Sequence, residues 1–165
     1  MTVATSLYAR HTPGFESRLS SARALLQSAA VRHPGQVVLT TSLGVEDMVL
    51  TDLIARNRIP IALATLHTGK LHEQTLALLP RIRERYGLEV ELWEPAAEQV
   101  LHFVSRHGEM AMRHSVALRK ACCTMRKLEP LARALAGRTA WVTGLRREQS
   151  DARAEVPFES TDEHG

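Results

Sequence analysis

Gln36-Val37-Val38-Leu39-Thr40-Thr41-Ser42-Leu43-Gly44-Val45-Glu46-Asp47 runs from a β-branched apolar stretch, through a glycine turn, to a pair of acidic residues. Its first six residues read as a buried strand. From about Glu46 to Asn57 apolar residues recur at helical spacing. A strand, a short glycine turn and a helix make the opening of an α/β unit.

The same alternation continues downstream. Ile61–Leu66 reads as a second strand, His67–Lys70 as a turn and Leu71–Tyr86 as a long helix. Leu88–Trp93 is a third strand, and Pro95 opens another helix at a position that tolerates proline. Residues from about Arg113 to Ala136 read as helix on both sides of Cys122-Cys123, broken or kinked in between. Thr139–Thr143 is a fourth strand, followed by the basic loop Gly144–Ser150. Upstream, Leu19, Ala22, Leu25, Leu26 and Ala29 mark an amphipathic helix over Phe15–Val31, ended by His33-Pro34-Gly35. There is no internal repeat and no low-complexity segment. Short strands alternating with longer helices predict an α/β fold, a mainly parallel sheet with flanking helices.

Sheets of this kind bind ligands outside the carboxyl ends of their strands. The Ser42–Asp47 loop, the His67–Lys70 turn and the Gly144–Ser150 loop each follow a predicted strand. All three are therefore expected along one edge. In the first, Gly44 allows close backbone approach, the helix start offers free N–H groups, and Ser42 can cap or donate to an anion. Phosphate or sulfate would suit it; a simple capped turn with Glu46 and Asp47 at the helix start is the other reading. In the second, Thr68 and the amides around Gly69 can hold a ribose or base edge, and Lys70 can meet a phosphate; taken alone, a plain strand-to-helix turn with Gly69 chosen for backbone freedom is the favoured reading. In the third, Arg146 and Arg147, followed by Arg153, concentrate guanidinium groups, which match phosphate through paired donors. A solvated charged loop remains the alternative there.

Cys122 and Cys123 are the two cysteines of the chain. A disulfide between neighbours strains the peptide and the S–S geometry, so they make a poor staple. Arg119, Lys120, Arg126 and Lys127 favour thiolates, the form that binds metal or attacks electrophiles. Burial as small apolar side chains is the other reading.

Composition sets outer limits. A chain of 165 residues suits one domain spanning 1–165. A net charge of +3 calls for neither nucleic acid nor membrane but is compatible with a small anionic ligand. No run approaches the ~20 apolar residues of a membrane span. Met1–Arg10 lacks the apolar core of a secretory signal, and two cysteines without an export signal fit a reducing cytoplasm.

Four stretches in this order, SLGVEDMVL, LHTGKLHEQT, RKACCTMRKLEPL and WVTGLRREQS, resemble the assimilatory sulfonucleotide reductases, which reduce adenylyl sulfate or its 3′-phosphorylated form to sulfite. The match runs from about Val37 to Arg153. The resemblance implies an adenine nucleotide α-hydrolase-like, Rossmann-like fold. It implies that Ser42, Gly44, Glu46 and Asp47 lie in the loop that approaches the nucleotide, and Thr68, Gly69 and Lys70 in the adenosine-side loop. Lys127 matches a family lysine placed near both cluster and substrate, and Arg146, Arg147 and Arg153 match the basic loop. Cys122 and Cys123 match two of the four ligands of a 4Fe-4S cluster. Paired cysteines favour adenylyl sulfate, though some cluster-bearing members accept phosphoadenylyl sulfate.

Family members continue past Gly165 with a Cys-x-x-Cys pair and a terminal element holding the nucleophilic cysteine. That cysteine forms an S-sulfocysteine and releases AMP, and thioredoxin then frees sulfite. The expectation is therefore a truncated member: a nucleotide-binding core with half a cluster site and no catalytic residue of its own. Two alternatives stand beside it. An ATP pyrophosphatase of the same fold would use a Ser-Gly-Gly-x-Asp-Ser type loop, where this chain has Leu43 and Glu46-Asp47. A non-catalytic nucleotide- or metal-binding remnant would keep the pocket alone. A homo-oligomer sharing a cluster through four cysteines stays open.

Overall fold

Strand β1 (Val37–Thr40) lies between β2 (Ala62–Leu66) and β4 (Ala140–Val142), and β3 (Val90–Trp93) pairs with the far side of β2. Every pairing is parallel; Val38 stands opposite both Ala62 and Trp141, and Leu63 opposite Val90. This computed structural model describes residues 13–161. Met1–Arg10, read as lacking a secretory signal, lies outside those residues, as does the last part of the expected 1–165 span. The sheet is the parallel one that the alternation predicts.

Helix α1 (Phe15–Arg32) and α2 (Val45–Arg56) come first, then a short α3 (Glu73–Leu76), α4 (Leu78–Tyr86) and α5 (Ala97–His107). Helix α6 (Val116–Cys123) leads through a π turn, Thr124–Leu128, into α7 (Glu129–Leu135). Side chains alternate across a strand, so β1 feeds two cores. Val37 and Leu39 join Leu26 and Ala30 of α1, Ile54 of α2 and Ile82 of α4 in one buried cluster. Val38 is equally buried on the other side, where α7 packs over β2 and β3. Leu39, Ile54 and Ile82 are fully buried, each worth about 2 kcal/mol of apolar transfer. A sheet covered on both faces needs apolar residues at consecutive strand positions, which is why Val37-Val38-Leu39 does not alternate.

Two boundaries near prolines differ from the sequence reading, and one expected break takes a specific form. The Leu71–Tyr86 helix is split at Ala77. Pro80 cannot donate to the carbonyl of Leu76, so α3 stops there and α4 restarts with the proline in its first turn. Pro95 stands one residue before the Ala96 cap of α5 instead of opening the helix. The break expected near the cysteines is the π turn, in which the Glu129 N–H reaches back five residues to the Thr124 carbonyl. Pro130 follows at once and cannot donate to Arg126, which removes the bond that would keep the turn α-helical.

Candidate active site

The carboxyl ends of the four parallel strands put the Ser42–Asp47 loop, the His67–Lys70 turn and the Gly144–Ser150 loop on one edge. The strand ends are tied to each other there: the Thr41 N–H donates to the Ala64 carbonyl at 2.8 Å.

In the first loop the left-handed residue is Leu43, at φ 61°, and Gly44 is extended at the cap of α2. Leucine in that conformation is strained. It persists because the side chain is buried in the core cluster and its N–H donates to Thr41 Oγ1 at 2.9 Å. Ser42 does not cap the helix. Its N–H and its hydroxyl both donate to Asp47 Oδ2, each at 2.6 Å. Asp47 is only 6% exposed, so its carboxylate works inside the loop and not as a solvent-facing group. Gly144 closes over it: a Cβ built there would sit 2.0 Å from Asp47 Oδ1. One turn away, Arg146 Nε pairs with Glu46 Oε1 at 2.9 Å. Glu46 is held below the usual carboxylate range, chiefly by its own backbone N–H and further by the Arg146 charge, against the opposing effect of burial.

Arg147 and Arg153 turn elsewhere. Arg147 Nε donates to the Val156 carbonyl at 3.0 Å and its guanidinium lies 4.5 Å from the Phe158 ring centre. Arg153 hydrogen-bonds Gln149. Of the three arginines, Arg146 is the one tied to the first loop.

In the second loop Thr68 is buried and Gly69 is left-handed at φ 71°. The Thr68 carbonyl accepts from Arg126 Nη1 at 2.7 Å. A Cβ on Gly69 would come within 3.1 Å of that same nitrogen, so the glycine serves both the backbone turn and the approach of the guanidinium. Lys70 Nζ donates to Glu109 Oε1 at 2.6 Å, and His67 Nδ1 lies 2.6 Å from Glu94 Oε1.

The Lys70 hydrogen bond, then its charge, lowers the Glu109 pKa from its ordinary value. A carboxylate with a depressed folded pKa adds stability above its unfolded pKa and loses it as pH falls through the folded value. Glu109 is therefore expected to titrate below a free glutamate when followed by NMR. In Lys70→Met its midpoint should return upward; an unchanged midpoint would show that the pair is not formed in solution.

Ser115 caps α6, its hydroxyl accepting from the Leu118 N–H at 3.1 Å. At the other end of that helix Cys122 is buried and Cys123 exposed, both as free thiols. Lys127 is exposed on the π turn. Among the described residues no three His, Cys, Asp or Glu side chains are grouped to hold a metal ion. Two thiols fit the soft-ligand chemistry of an iron–sulfur cluster but supply half of the four it takes.

The edge thus gathers two linked pairs of loops: the first loop with the arginine loop, and the second loop with the cysteine turn. Residues 36–165 match the model of the phosphoadenosine phosphosulfate reductase domain. The chain belongs to that family. Among curated relatives, adenosine 5′-phosphosulfate reductase of Burkholderia cepacia is 47% identical over 152 residues, covering 92% of this chain and 60% of that protein. The enzyme of the same name from Allochromatium vinosum is 49% identical over 137 residues, covering 83% of this chain and 54% of its own length. The chain thus spans little more than half of the curated relatives it matches. The crystal structure of phosphoadenylyl-sulfate (PAPS) reductase from Candida auris, a phosphate complex, superposes with a TM-score of 0.65 at 23% identity, over 87% of this chain and 72% of that one. The shared fold is the adenine nucleotide α-hydrolase-like, Rossmann-like type.

Within this reductase-family chain two residues escaped the sequence reading. Arg126 looked like one more charge near the thiols, yet it is 7% exposed and spans to Thr68. Gly144 looked like the start of a loop, yet it is packed against Asp47. Pro130, four residues after Arg126, was the local signal of an irregular turn; nothing local announced Gly144. No described helix is long and apolar enough to cross a membrane.

Proposed function

We propose that this chain is the nucleotide-binding core of a sulfonucleotide reductase of sulfate assimilation, acting on adenylyl sulfate. The observation that carries the reading is the joining of four family stretches at one sheet edge by Asp47–Gly144, Glu46–Arg146 and Thr68–Arg126 contacts. Family membership and the names of the curated relatives support the substrate class.

In this reading the loop of Ser42, Gly44, Glu46 and Asp47, with the start of α2, takes the anionic end of the substrate. The positive end of the α2 dipole favours it there. Arg146 reaches the same anion by exchanging its Glu46 partner for it. Thr68, Gly69 and Lys70 hold the adenosine side. Lys127, exposed beside the cysteines, supplies a further cation; Arg147 and Arg153 shape the arginine loop through their internal bonds. Cys122 and Cys123 would be two of four thiolate ligands of a 4Fe-4S cluster, which when bound supplies a charged, redox-active centre. No residue of this chain is assigned as the nucleophile that takes sulfur, since the resemblance gives that role to a further cysteine. Thioredoxin would be the reductant that frees sulfite, and the cytoplasm, where thiols stay reduced, the compartment. Leu43 at the place of a pyrophosphatase glycine, and Glu46-Asp47 after it, support sulfonucleotide over triphosphate.

Anaerobic calorimetric titration with adenylyl sulfate, its 3′-phosphorylated form, AMP and ATP tests this. Adenylyl sulfate and AMP are expected to bind in preference to the others. Preference for ATP would favour the pyrophosphatase, and no binding by a chain folded by circular dichroism would defeat the nucleotide reading for this segment.

A further inference from the structure

Arg126 is a buried cation that joins two loops in the binding scheme above but is given no contact with substrate there. Its Nη1 donates to the Thr68 carbonyl at 2.7 Å, across 58 residues of sequence. Its Nε is buried without a hydrogen-bond partner among the described residues. It sits in the π turn directly after the cysteines, four residues from Cys122, which is 6% exposed.

We infer that Arg126 is a positioning residue that couples occupancy of the Thr68–Gly69 loop to the exposure of Cys122. Among the described residues, the guanidinium is the one side chain that bonds from the cysteine turn into that loop. Gly69 cannot move toward the turn without meeting it, since the space for a Cβ is already within 3.1 Å of Nη1. A ligand that orders the loop therefore holds the guanidinium, and the guanidinium holds the turn. The unpartnered Nε leaves one donor of this strut unmet, and an unmet buried donor favours any movement that finds an acceptor. The π turn provides the other half of the device: its register differs from an α-helix by one hydrogen bond, so it changes in a discrete step. Coupling of this kind is reciprocal, so whatever fixes the cysteine turn also tightens nucleotide binding.

The inference rests on nucleotide binding at this loop, and the test separates the two. Cys122 and Cys123 are alkylated with iodoacetamide under reducing conditions, and each is quantified by tandem mass spectrometry, with and without saturating AMP. Cys123, exposed, is the internal reference. In the wild-type chain AMP is expected to slow Cys122 labelling at least about fivefold, at the lower end of ordinary coupling strengths. In Arg126→Met, saturated with AMP as judged by calorimetry, the ratio should fall to about one, and in Arg126→Lys it should be intermediate. Retention of the wild-type ratio in Arg126→Met would overturn the inference, since AMP would then be shielding Cys122 by itself. If Arg126→Met does not fold, Arg126→Lys decides: a reduced ratio supports the strut and an unchanged one overturns it. A wild-type chain that binds AMP with no change at Cys122 overturns the coupling alone. A folded wild-type chain that does not bind AMP overturns the nucleotide reading and the coupling with it.

Discussion

Gly144→Ala is expected to lower stability by about 3 kcal/mol, the upper range for forcing a methyl group into filled space. The new Cβ would meet Asp47 Oδ1 at 2.0 Å, Asp47 Cγ at 3.0 Å and the Asp47 backbone nitrogen at 3.2 Å. The first two belong to a short, buried side chain that cannot swing away, because Ser42 holds its other oxygen by two bonds of 2.6 Å. The third belongs to the first turn of α2. Relief must come from shifting the arginine loop away from the Ser42–Asp47 loop, which also stretches the Glu46–Arg146 pair. AMP affinity should therefore drop at least tenfold alongside the loss of stability. Urea unfolding and calorimetry read the two effects; a variant with wild-type values in both would mean that the two loops are not in contact.

Asp47→Ala is the second large effect. Removing the carboxylate leaves the Ser42 N–H and hydroxyl without their acceptor, and hydrogen bonds to a carboxylate contribute about 1.5–3 kcal/mol each before rearrangement. A net loss of about 3 kcal/mol is expected, because Ser42 is exposed and water replaces part of what is lost. The decisive measurement is the double variant. With Asp47 truncated, the alanine methyl at 144 has room, so the two penalties should fall short of additivity by at least about 1 kcal/mol, the scale seen for residues in contact. Strict additivity would sink the account of Gly144 as a contact residue. A remnant of the Gly144→Ala penalty should survive, owing to the backbone nitrogen.

The parallel sheet and the edge on which the loops gather were readable because both follow from local patterns. Apolar runs gave the strands, and chain order relative to the strands gave the loop positions. Pro80 carried boundary information that hydrophobic spacing alone did not capture, because a missing N–H ends a helix whatever its apolar face. Side-chain partners were not readable. Lys70 was expected to face a phosphate and is paired with Glu109; Ser42 was expected to cap and is bonded to Asp47. Arg126 and Gly144 meet residues remote in the chain, and no spacing rule reaches that far. Their roles appear only when β1, β2 and β4 stand side by side.

That juxtaposition has a consequence for how the chain is made. Val37 pairs with Ala140, so the middle strand waits for a neighbour that leaves the ribosome roughly 100 residues later. Synthesis at about 5–20 residues per second makes that a delay of about 5–20 seconds. Meanwhile β1 has β2 on one flank and an open edge on the other, and the Asp47 carboxylate has no glycine above it. The Ser42–Asp47 loop is thus born half-built and closes only once Gly144 has emerged. A nascent chain stalled before residue 140 should expose its β1 edge to chaperones and fail to retain AMP, whereas one released past Gly144 should not.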